Sequence, residues 1–315
     1  MINGAAKEEP TSMAGIPLTV GALLVFLCFL WGGNAVSIKI SNQGIPPFLA
    51  AALRSAVACL FLWVYTRKRR VQILLPRKNF LLGVIIGILF GLEMLFLYWG
   101  VIFTHASRAV IFLYTYPFWM AIGAHLLFAN DRLNVAKIAG LILAFIGLFL
   151  AFGSRSATLT SRFWVGDLME LTVAILWAAK DLYVKKIAAN KEISPFQILF
   201  AQLLFSVFFL GPAAFLFERG RPLFLTAPVL IAFAYQCLIV AFFSYLLWLW
   251  MIYRFPVSRL ASFTFLAPLF GVILSLLCLK ESIPLVLWFA LALVAGGIYL
   301  VNRPGKAPIE NGMTP

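Results

Sequence analysis

The chain has 315 residues, of which 63% are hydrophobic and only 11% charged, and its mean hydropathy is +1.00. A soluble protein of this length has too little interior to bury so much apolar surface, so the composition excludes a soluble fold. The formal net charge of +14 is typical of cationic loops at the cytoplasmic face of a membrane, and it does not indicate a nucleic-acid partner.

Apolar stretches recur along the chain from Pro17 to Val301. Each contains about 20 residues, which as a helix is long enough to cross the hydrocarbon core of a bilayer. They do not alternate polar with apolar residues, which excludes a transmembrane barrel. We therefore predict an all-α membrane protein with ten transmembrane helices and no soluble domain. The predicted helices are 17–40, 47–66, 80–103, 107–129, 134–153, 165–186, 195–217, 228–253, 258–279 and 284–302.

Polar segments flank and divide this helical array. Residues 1–16 are predicted to be a disordered cytoplasmic tail, 154–164 a linker and 303–315 a second cytoplasmic tail. The apolar run after residue 16 is too long for the core of a signal peptide and has no clear small-residue cleavage site. The linker separates two halves, 17–153 and 165–302.

The distribution of basic residues predicts the orientation. The loop between the second and third helices holds Arg67, Lys68, Arg69, Arg70, Arg77 and Lys78. Because cytoplasmic loops carry an excess of Lys and Arg, this loop is predicted to be cytoplasmic, which places both termini inside as well. Of the 25 basic residues, sixteen then lie in or beside inner segments and seven in or beside outer ones.

One sequence string occurs twice. SRAVIFLYTYPFW (Ser107–Trp119) returns as SRLASFTFLAPLF (Ser258–Phe270), and Trp99 returns as Trp250 at the same offset. The start of the second helix, IPPF, likewise returns as ISPF at the start of the seventh. The chain is therefore predicted to be two five-helix repeats, which have inverted topology because five is odd. That architecture is typical of secondary transporters with a substrate site near the midplane. The alternative is a duplicated membrane scaffold that transports nothing.

Several short motifs add a resemblance to a known family. They are Trp31-Gly32-Gly33-Asn34, the Pro-Phe start of the second helix followed by Arg54, Tyr98-Trp99-Gly100, the Pro117 and Pro268 positions, and acidic-plus-glycine patterns at Asp131, Gly140 and Gly147 and at Glu281, Gly296 and Gly297. Over about residues 18–302 the chain resembles the drug/metabolite transporter superfamily, EamA type. The resemblance implies a multi-pass protein of the plasma membrane, the inner membrane in bacteria, that transports and often exports amino acids, drugs, sugars or other small metabolites.

The two halves depart from one another at positions that the resemblance singles out. The sixth helix has Trp177-Ala178-Ala179-Lys180 where the first has Trp-Gly-Gly-Asn, and Gln202 stands where the first half has Arg54. The halves are therefore not interchangeable, which fits an asymmetric substrate.

Four charged residues, Arg54, Glu93, Lys180 and Asp181, are singled out within the predicted spans. An ionisable residue within a span is costly and is by default a functional candidate. Glu93 is the deepest acid and the first candidate for proton coupling, because a carboxyl group in a polar cavity can carry a proton or bind a substrate amine. The alternative is a purely structural ion pair of Glu93 with Arg54 or Lys180.

Small residues on the third helix predict where Glu93 points. Gly83, Gly87 and Gly91 precede it at four-residue steps, forming a ridge against which another helix can pack closely. Glu93 lies two residues beyond Gly91 and is turned about 200° from this ridge. We therefore expect Glu93 to face a polar cavity or a cation.

Polar residues at related positions of two helices predict the rest of a cavity. Trp31 and Asn34 share a face of the first helix, and Trp177, Lys180 and Asp181 share a face of the sixth. The alternatives are that Lys180 snorkels to the cytoplasmic interface and that the tryptophans are interfacial anchors.

The eighth helix also has polar residues near one face, and other aromatic residues are further candidates for the wall. The predicted substrate-binding set is Trp31, Asn34, Glu93, Tyr98, Trp99, Tyr114, Trp177, Lys180, Asp181, Gln236 and Ser244, with Trp248 beside it. Apolar walls with a few polar groups are typical of ligand pockets.

Pro117 and Pro268 lie about ten residues into the fourth and ninth helices. Proline lacks the backbone donor that the helix needs, so each position is a candidate hinge that flexes toward the cavity. A static kink that aids packing is the alternative.

Other chemistry has no sequence support. The chain lacks a phosphate-binding loop and the common hydrolase motifs, so neither an ATP-driven pump nor an enzyme is predicted. His105 and His125 lack clustered metal ligands, and Cys28, Cys59, Cys237 and Cys278 are predicted to be buried packing residues. No cofactor or metal is expected.

The expected function is secondary active transport of a small molecule, with export as the usual direction, by alternating access and proton coupling. The alternatives are an uncoupled facilitator and a non-transporting scaffold. The expected partners are the small-molecule substrate and the lipid bilayer, with no nucleic acid, in a monomer or homodimer.

Overall fold

The computed structural model describes residues 16–104, 106–153, 162–189, 192–278 and 284–303. These residues form helices and no strand. Each of the ten predicted helices is present, which confirms the all-α fold class. The helices are α1 Leu18–Ser41, α2 Pro47–Arg69, α3 Phe80–Phe103, α4 Ala106–Leu113 with Tyr116–Leu127, α5 Val135–Phe152, α6 Phe163–Ala188, α7 Pro195–Glu218, α8 Ala227–Arg254, α9 Val257–Phe263 with Leu266–Cys278, and α10 Leu285–Asn302. Both predicted tails and most of the predicted linker lie outside the described residues, as do His105 and Glu281.

Within this described part of the chain, nine segments are long and apolar enough to cross a membrane. The protein is therefore a multi-pass membrane protein, as predicted. The exception is α6, a 26-residue helix that carries buried charged residues along its length. Its crossing, and the placement of both termini in the cytoplasm, stay predictions.

Local sequence explains how the helices begin. Pro47 opens α2, where a missing amide donor costs nothing. The free amides of its first turn are satisfied from the other half of the protein, because Phe48 N and Leu49 N donate to the two carboxylate oxygens of Glu218 at 3.0 and 2.8 Å. Ser194 and Gln197 form a reciprocal capping box at the start of α7. Free amides in the first turns of α2 and α7 therefore have side-chain acceptors.

The inverted relation of the halves follows from the direction of two helix pairs. Helix α5 packs against α10, its counterpart in the second half. Gly140 lies against Gly297 and Val301, whereas Gly147, two turns later, lies against Ala290. The two helices therefore run antiparallel. Helices related by an axis along the membrane normal would run parallel, so the repeat axis lies in the membrane plane.

Helices α2 and α7 form the second such pair. Phe48 lies against Phe217 and Tyr65 against Phe196, which again makes the pair antiparallel. The remaining contacts also come in exchangeable sets. Helix α1 packs on α9 as α6 packs on α4, and α3 packs on α6 as α8 packs on α1.

The predicted glycine ridge of α3 is present. Gly83, Gly87 and Gly91 lie against Phe205 and Phe209 of α7 at one-turn intervals, and the two helices run parallel. Close approach of α7 to this ridge leaves the opposite side of α3 for Glu93.

Helices α4 and α9 are each interrupted before the proline. The first part of α4 ends at Leu113 and the second begins at Tyr116, and α9 is interrupted between Phe263 and Leu266. A proline at position i removes the hydrogen bond to residue i−4, which is Leu113 for Pro117. At each break a threonine hydroxyl donates to the carbonyl three residues earlier, from Thr115 to Phe112 at 2.7 Å and from Thr264 to Ala261 at 2.8 Å. Each helix is therefore broken just before its proline, and movement at these breaks stays a prediction.

The middle of α8 differs from its counterpart α3. Residues Gln236–Ser244 form a π-helix, whereas α3 is α-helical throughout. A π-helix has a longer hydrogen-bonded repeat than an α-helix, so it changes which side chains share a face. Such segments are frequent at functional sites.

We predict that Gly140→Ala destabilises the protein. The added methyl carbon would lie 2.6 Å from the carbonyl oxygen of Gly297, so α5 and α10 must separate. Overpacking of this kind costs about 1–3 kcal/mol, and it is measured by thermal unfolding of the purified protein in detergent.

Gly211→Ala in α7 is the matched control. A methyl group there meets nothing within 4 Å, so helix propensity should raise stability by up to about 1 kcal/mol. Equal effects of the two substitutions would contradict close packing of α5 on α10.

Candidate functional site

A cavity of about 270 Å³ lies between the two halves. Its wall comes from the first four helices of each half, α1–α4 and α6–α9. Among the described residues, α5 and α10 contribute nothing to it. The lining residues are Trp31, Asn34, Ala35, Ile38, Arg54, Glu93, Met94, Leu97, Tyr98, Val110, Leu113, Tyr114, Val173, Trp177, Lys180, Asp181, Gln202, Val240, Tyr245, Trp248, Leu249, Ala267 and Pro268.

Most of the predicted site residues meet in this cavity. Eight of the eleven line it: Trp31, Asn34, Glu93, Tyr98, Tyr114, Trp177, Lys180 and Asp181. The hinge candidate Pro268 also lines it, whereas Pro117 is buried outside the wall. Arg54 and Gln202, which occupy related positions in the two halves, both reach the cavity.

Two predicted residues of α8 lie outside the cavity wall. Gln236 Nε2 donates to Ser41 Oγ at 2.8 Å and so joins α8 to the end of α1. Ser244 lies behind Trp31 and accepts a hydrogen bond from the indole Nε1 at 2.9 Å. The prediction used α-helical spacing, and the π-helix of α8 breaks that spacing at these two residues.

Trp99 also lies outside the wall. Its ring packs edge-to-face on Phe48 and Phe217, with centroid distances of 5.9 and 4.9 Å. It lies one residue after Tyr98, and consecutive helical residues point about 100° apart. Tyr98 therefore lines the cavity while Trp99 packs against α2 and α7.

A buried ion cluster occupies the cavity wall. Lys180 Nζ donates to Glu93 Oε2 at 2.9 Å, and Asp181 Oδ1 lies 3.9 Å from the same ammonium. The side chains of Lys180 and Glu93 are each 7% exposed. Of the two ion pairs considered for Glu93, the structure therefore contains the pair with Lys180 and not the pair with Arg54. Lys180 does not snorkel, because its ammonium is held inside the protein by a carboxylate of the other half.

Asp181 is held in place by two aromatic side chains. Tyr116 OH and Trp248 Nε1 both donate to its Oδ2 at 2.9 Å. Its Oδ1 has no hydrogen-bond partner in the described structure. One carboxylate oxygen is thus fixed by two hydrogen bonds, while the other faces the Lys180 ammonium at 3.9 Å.

The paired tryptophans form an aromatic wall and do not anchor the interface. The ring centroids of Trp31 and Trp248 lie 5.2 Å apart, and those of Trp31 and Trp177 lie 6.1 Å apart. Trp177 stacks on Tyr116 at 4.0 Å. Edge-to-face and stacked rings hold the wall rigid around the ion cluster.

The sequence reasoning missed a buried acid that has no hydrogen-bond partner in the described structure. Glu170 on α6 is 0% exposed, packs against Gly100, and has no hydrogen-bond partner for either carboxylate oxygen among the described residues. Three residues before it, Asp167 accepts hydrogen bonds from Thr104 Oγ1 at 2.7 Å and from the Arg108 guanidinium. The signal was present, because Glu170 lies two turns from Trp177 on the same helical face.

A second cavity, of about 280 Å³, lies at the loop ends of α3, α6 and α7. Its charged residues, Lys186 and Glu192, are exposed. A hydrogen bond from the Lys78 ammonium, 2.9 Å away, lowers the pKa of Glu192. This cavity brings together no buried charges, so the central cavity is the better candidate.

We predict that Glu93→Gln destabilises the protein strongly, whereas Glu170→Gln has little effect on its stability. Glu93→Gln leaves Lys180 with only the carboxylate at 3.9 Å, and breaking a buried ion pair costs about 3–5 kcal/mol. Glu170→Gln removes no partner, so stability should change by less than about 1 kcal/mol.

Thermal unfolding in detergent measures both variants side by side. A loss for Glu170→Gln as large as that for Glu93→Gln would contradict the isolation of Glu170.

Known proteins are similar to this chain in sequence and in fold. A profile of the EamA-like transporter family matches residues 18–153 and 164–303. The uncharacterized transporter YvbV of Bacillus subtilis is 27% identical over 304 residues, covering 94% of this chain and 95% of that protein. A protein of Escherichia coli named probable amino-acid metabolite efflux pump is 22% identical, and the match covers 89% of this chain and 93% of that protein.

A solved crystal structure also matches the fold. It aligns with a TM-score of 0.78 at 19% identity and covers 90% of this chain and 96% of the other. The two matched segments coincide with the two five-helix halves, and the chain belongs to the EamA-like transporter family.

Proposed function

We propose that this protein is a secondary active transporter that exports a small organic metabolite by alternating access, driven by protons. The observation that carries the proposal is the buried Glu93–Lys180–Asp181 cluster in a cavity between inverted halves. Buried charges in a membrane protein mark substrate and ion pathways. The bacterial relatives make the inner membrane the expected location.

Competition at the ion cluster supplies a coupling mechanism. Glu93 accepts a hydrogen bond from Lys180, and Asp181 Oδ1 has no hydrogen-bond partner in the described structure. A substrate ammonium and a proton both neutralise a carboxylate, so they compete for these groups. A proton that enters from outside displaces the substrate, and the substrate displaces the proton on the inner side. That exchange is export by antiport, with Glu93 as the first candidate carrier.

Cavity size and the names of relatives favour a metabolite over a larger drug. Pockets that hold drug-sized ligands have volumes of about 300–1,000 Å³, and this cavity has about 270 Å³. Two relatives, of Salmonella typhimurium and Escherichia coli, are named probable amino-acid metabolite efflux pumps. We infer that an amino acid is the best first substrate to test.

Polar contacts at the two ends of the cavity helices support alternating access. At the start of α4, predicted to be outside, Arg108 is paired with Asp167 of α6. At the start of α9, predicted to be inside, Ser258 N donates to Asp131 Oδ2 at 2.9 Å, and Lys137 Nζ lies 2.6 Å from Asp131 Oδ1. Each contact ties a repeated Ser-Arg segment to a neighbouring helix or loop, so making and breaking them in turn opens one end at a time.

We predict that proteoliposomes with the wild-type protein accumulate an L-amino acid against its gradient when a pH gradient is imposed. Glu93→Gln should reduce this accumulation to the level of empty liposomes while exchange down a concentration gradient remains. Radiolabelled leucine, phenylalanine and alanine are suitable solutes.

Glu192→Gln is the matched control, because Glu192 is an exposed loop glutamate remote from the central cavity. Transport that ignores the pH gradient in wild type would favour the uncoupled facilitator. Accumulation that survives Glu93→Gln would remove Glu93 from the coupling mechanism. A protein that moves no solute would favour the scaffold.

We also predict that Pro117→Ala and Pro268→Ala lower the maximal transport rate with little change in substrate affinity. Each substitution restores an amide donor beside the break in α4 or α9 and so stiffens it. Pro212→Ala in α7 is the control, since this exposed proline lies inside an unbroken helix. An unchanged rate in the two cavity-helix variants would show that the breaks are static kinks.

A further inference from the structure

Arg54 is a buried cation that forms no salt bridge in the described structure. It lies on α2, is 2% exposed and lines the central cavity. No carboxylate oxygen of the described residues lies within 4.0 Å of its guanidinium nitrogens. Its Nη2 donates to the sulfur of Met94 at 3.2 Å, and its Nε has no hydrogen-bond partner.

This arrangement is costly unless a ligand completes it. A guanidinium has five N–H donors in a planar fork that matches a carboxylate, and a thioether sulfur is only a weak acceptor. Burying a charge without a partner costs several kcal/mol. The cost is offset when an anion enters the cavity and pairs with Arg54.

The opposite charge lies close by. The Glu93–Lys180–Asp181 cluster has two carboxylates and one ammonium, a net charge of −1, and Arg54 adds +1. Met94, which contacts the guanidinium, directly follows Glu93 on α3. Adjacent Cα atoms are about 3.8 Å apart, so the unpaired cation and the acidic cluster flank the same turn of α3.

A ligand with both charges fits these two groups better than a ligand with one. A lone carboxylate would leave the acidic cluster without its cation, and a lone amine would leave Arg54 unpaired. A zwitterion satisfies both groups and leaves the charge of the cavity unchanged.

We propose that Arg54 binds the carboxylate of a transported zwitterion, an α-amino acid or a close analogue, whose ammonium faces the Glu93–Asp181 carboxylates. The proposal rests on the proposed transport function and names the substrate class of that cavity. The rings of Trp31, Trp177 and Trp248 then surround the apolar side chain of the ligand.

Equilibrium binding to the purified protein in detergent tests this assignment without transport. The probes are L-alanine, L-leucine and L-phenylalanine, each with the amine that lacks its carboxylate and the acid that lacks its amine. For leucine these are 3-methylbutylamine and 4-methylpentanoate. Isothermal titration gives each Kd, and ligand-induced shifts of Tm give a second measure.

We expect at least one of these amino acids to bind wild type about tenfold or more tightly than either of its single-charge analogues. Arg54→Met should weaken that zwitterion by about 30-fold or more, because truncation leaves its carboxylate unpaired. The amine analogue should change by less than about threefold. Arg54→Lys should fall between, because an ammonium keeps the charge and loses the fork.

Two controls separate binding from folding. Arg67→Met removes an exposed arginine at the end of α2 and should leave every Kd unchanged. If Arg54→Met does not fold, Arg54→Lys and the wild-type probe ranking still decide. If the role of Arg54 were purely structural, its replacement would lower Tm without changing the preference of the protein for ligands that carry a carboxylate.

Three results would overturn the assignment. In the first, wild-type protein binds the carboxyl-free amines as tightly as the amino acids. In the second, the Arg54 variants keep the preference for a carboxylate. In the third, wild-type protein binds none of the amino acids at millimolar concentration. Failure of the transport proposal looks different. A protein that binds zwitterions through Arg54 and moves none across liposomes keeps the assignment and loses transport, whereas one that transports only amines keeps transport and loses the assignment.

Discussion

The structure depends on one constraint, the cost of placing a charge within the membrane, which a partner on another helix offsets. Lys180 meets Glu93 across the interface of the two halves at 2.9 Å. Neither residue can face lipid at an acceptable cost, so this pair both ties the halves together and requires a polar space around itself. The central cavity is the result. Asp181 joins the cluster from α6, and Tyr116 and Trp248 hold it from two further helices.

Around this cluster, a symmetric scaffold holds an asymmetric site. The pairs α5–α10 and α2–α7 follow the two-fold relation, and among the described residues α5 and α10 stay out of the cavity. Within the cavity the symmetry fails where chemistry matters. The position of Arg54 is occupied in the second half by the neutral Gln202, and that of Asn34 by the charged Lys180. Helix α3 is α-helical throughout, whereas its counterpart α8 is π-helical at its centre. A symmetric cavity would have no means of distinguishing the two ends of a small molecule.

The charges of the site divide into paired and unpaired groups, and the division indicates their roles. Glu93 and Lys180 satisfy each other and tie the two halves together. Arg54 and Asp181 Oδ1 have unused hydrogen-bonding capacity at the cavity. Glu170 does not line the cavity and lies on α6 one turn from Asp167, which pairs with Arg108. An ordered arrangement of this kind suits a cycle in which a ligand exchanges partners with the protein.

The sequence by itself determined the membrane class, the helix positions, the inverted repeat and the four charged residues at the cavity. Those properties follow from local periodicity and from hydrophobic length, and both can be read from neighbouring residues. Trp31 and Trp177 were identified because they recur at related positions, and Glu93 because a carboxyl group is rare within a span.

Only the tertiary structure decided which partners the charges take. Glu93 and Lys180 are 87 residues apart in sequence, and composition alone allowed Arg54 as an equally good partner for Glu93. The structure also placed Ser244 behind Trp31 and left Glu170 without a partner, because a π-helix in α8 and the close approach of Gly100 are products of packing. Contacts between distant segments depend on how whole helices cross, and no local pattern in the chain encodes them.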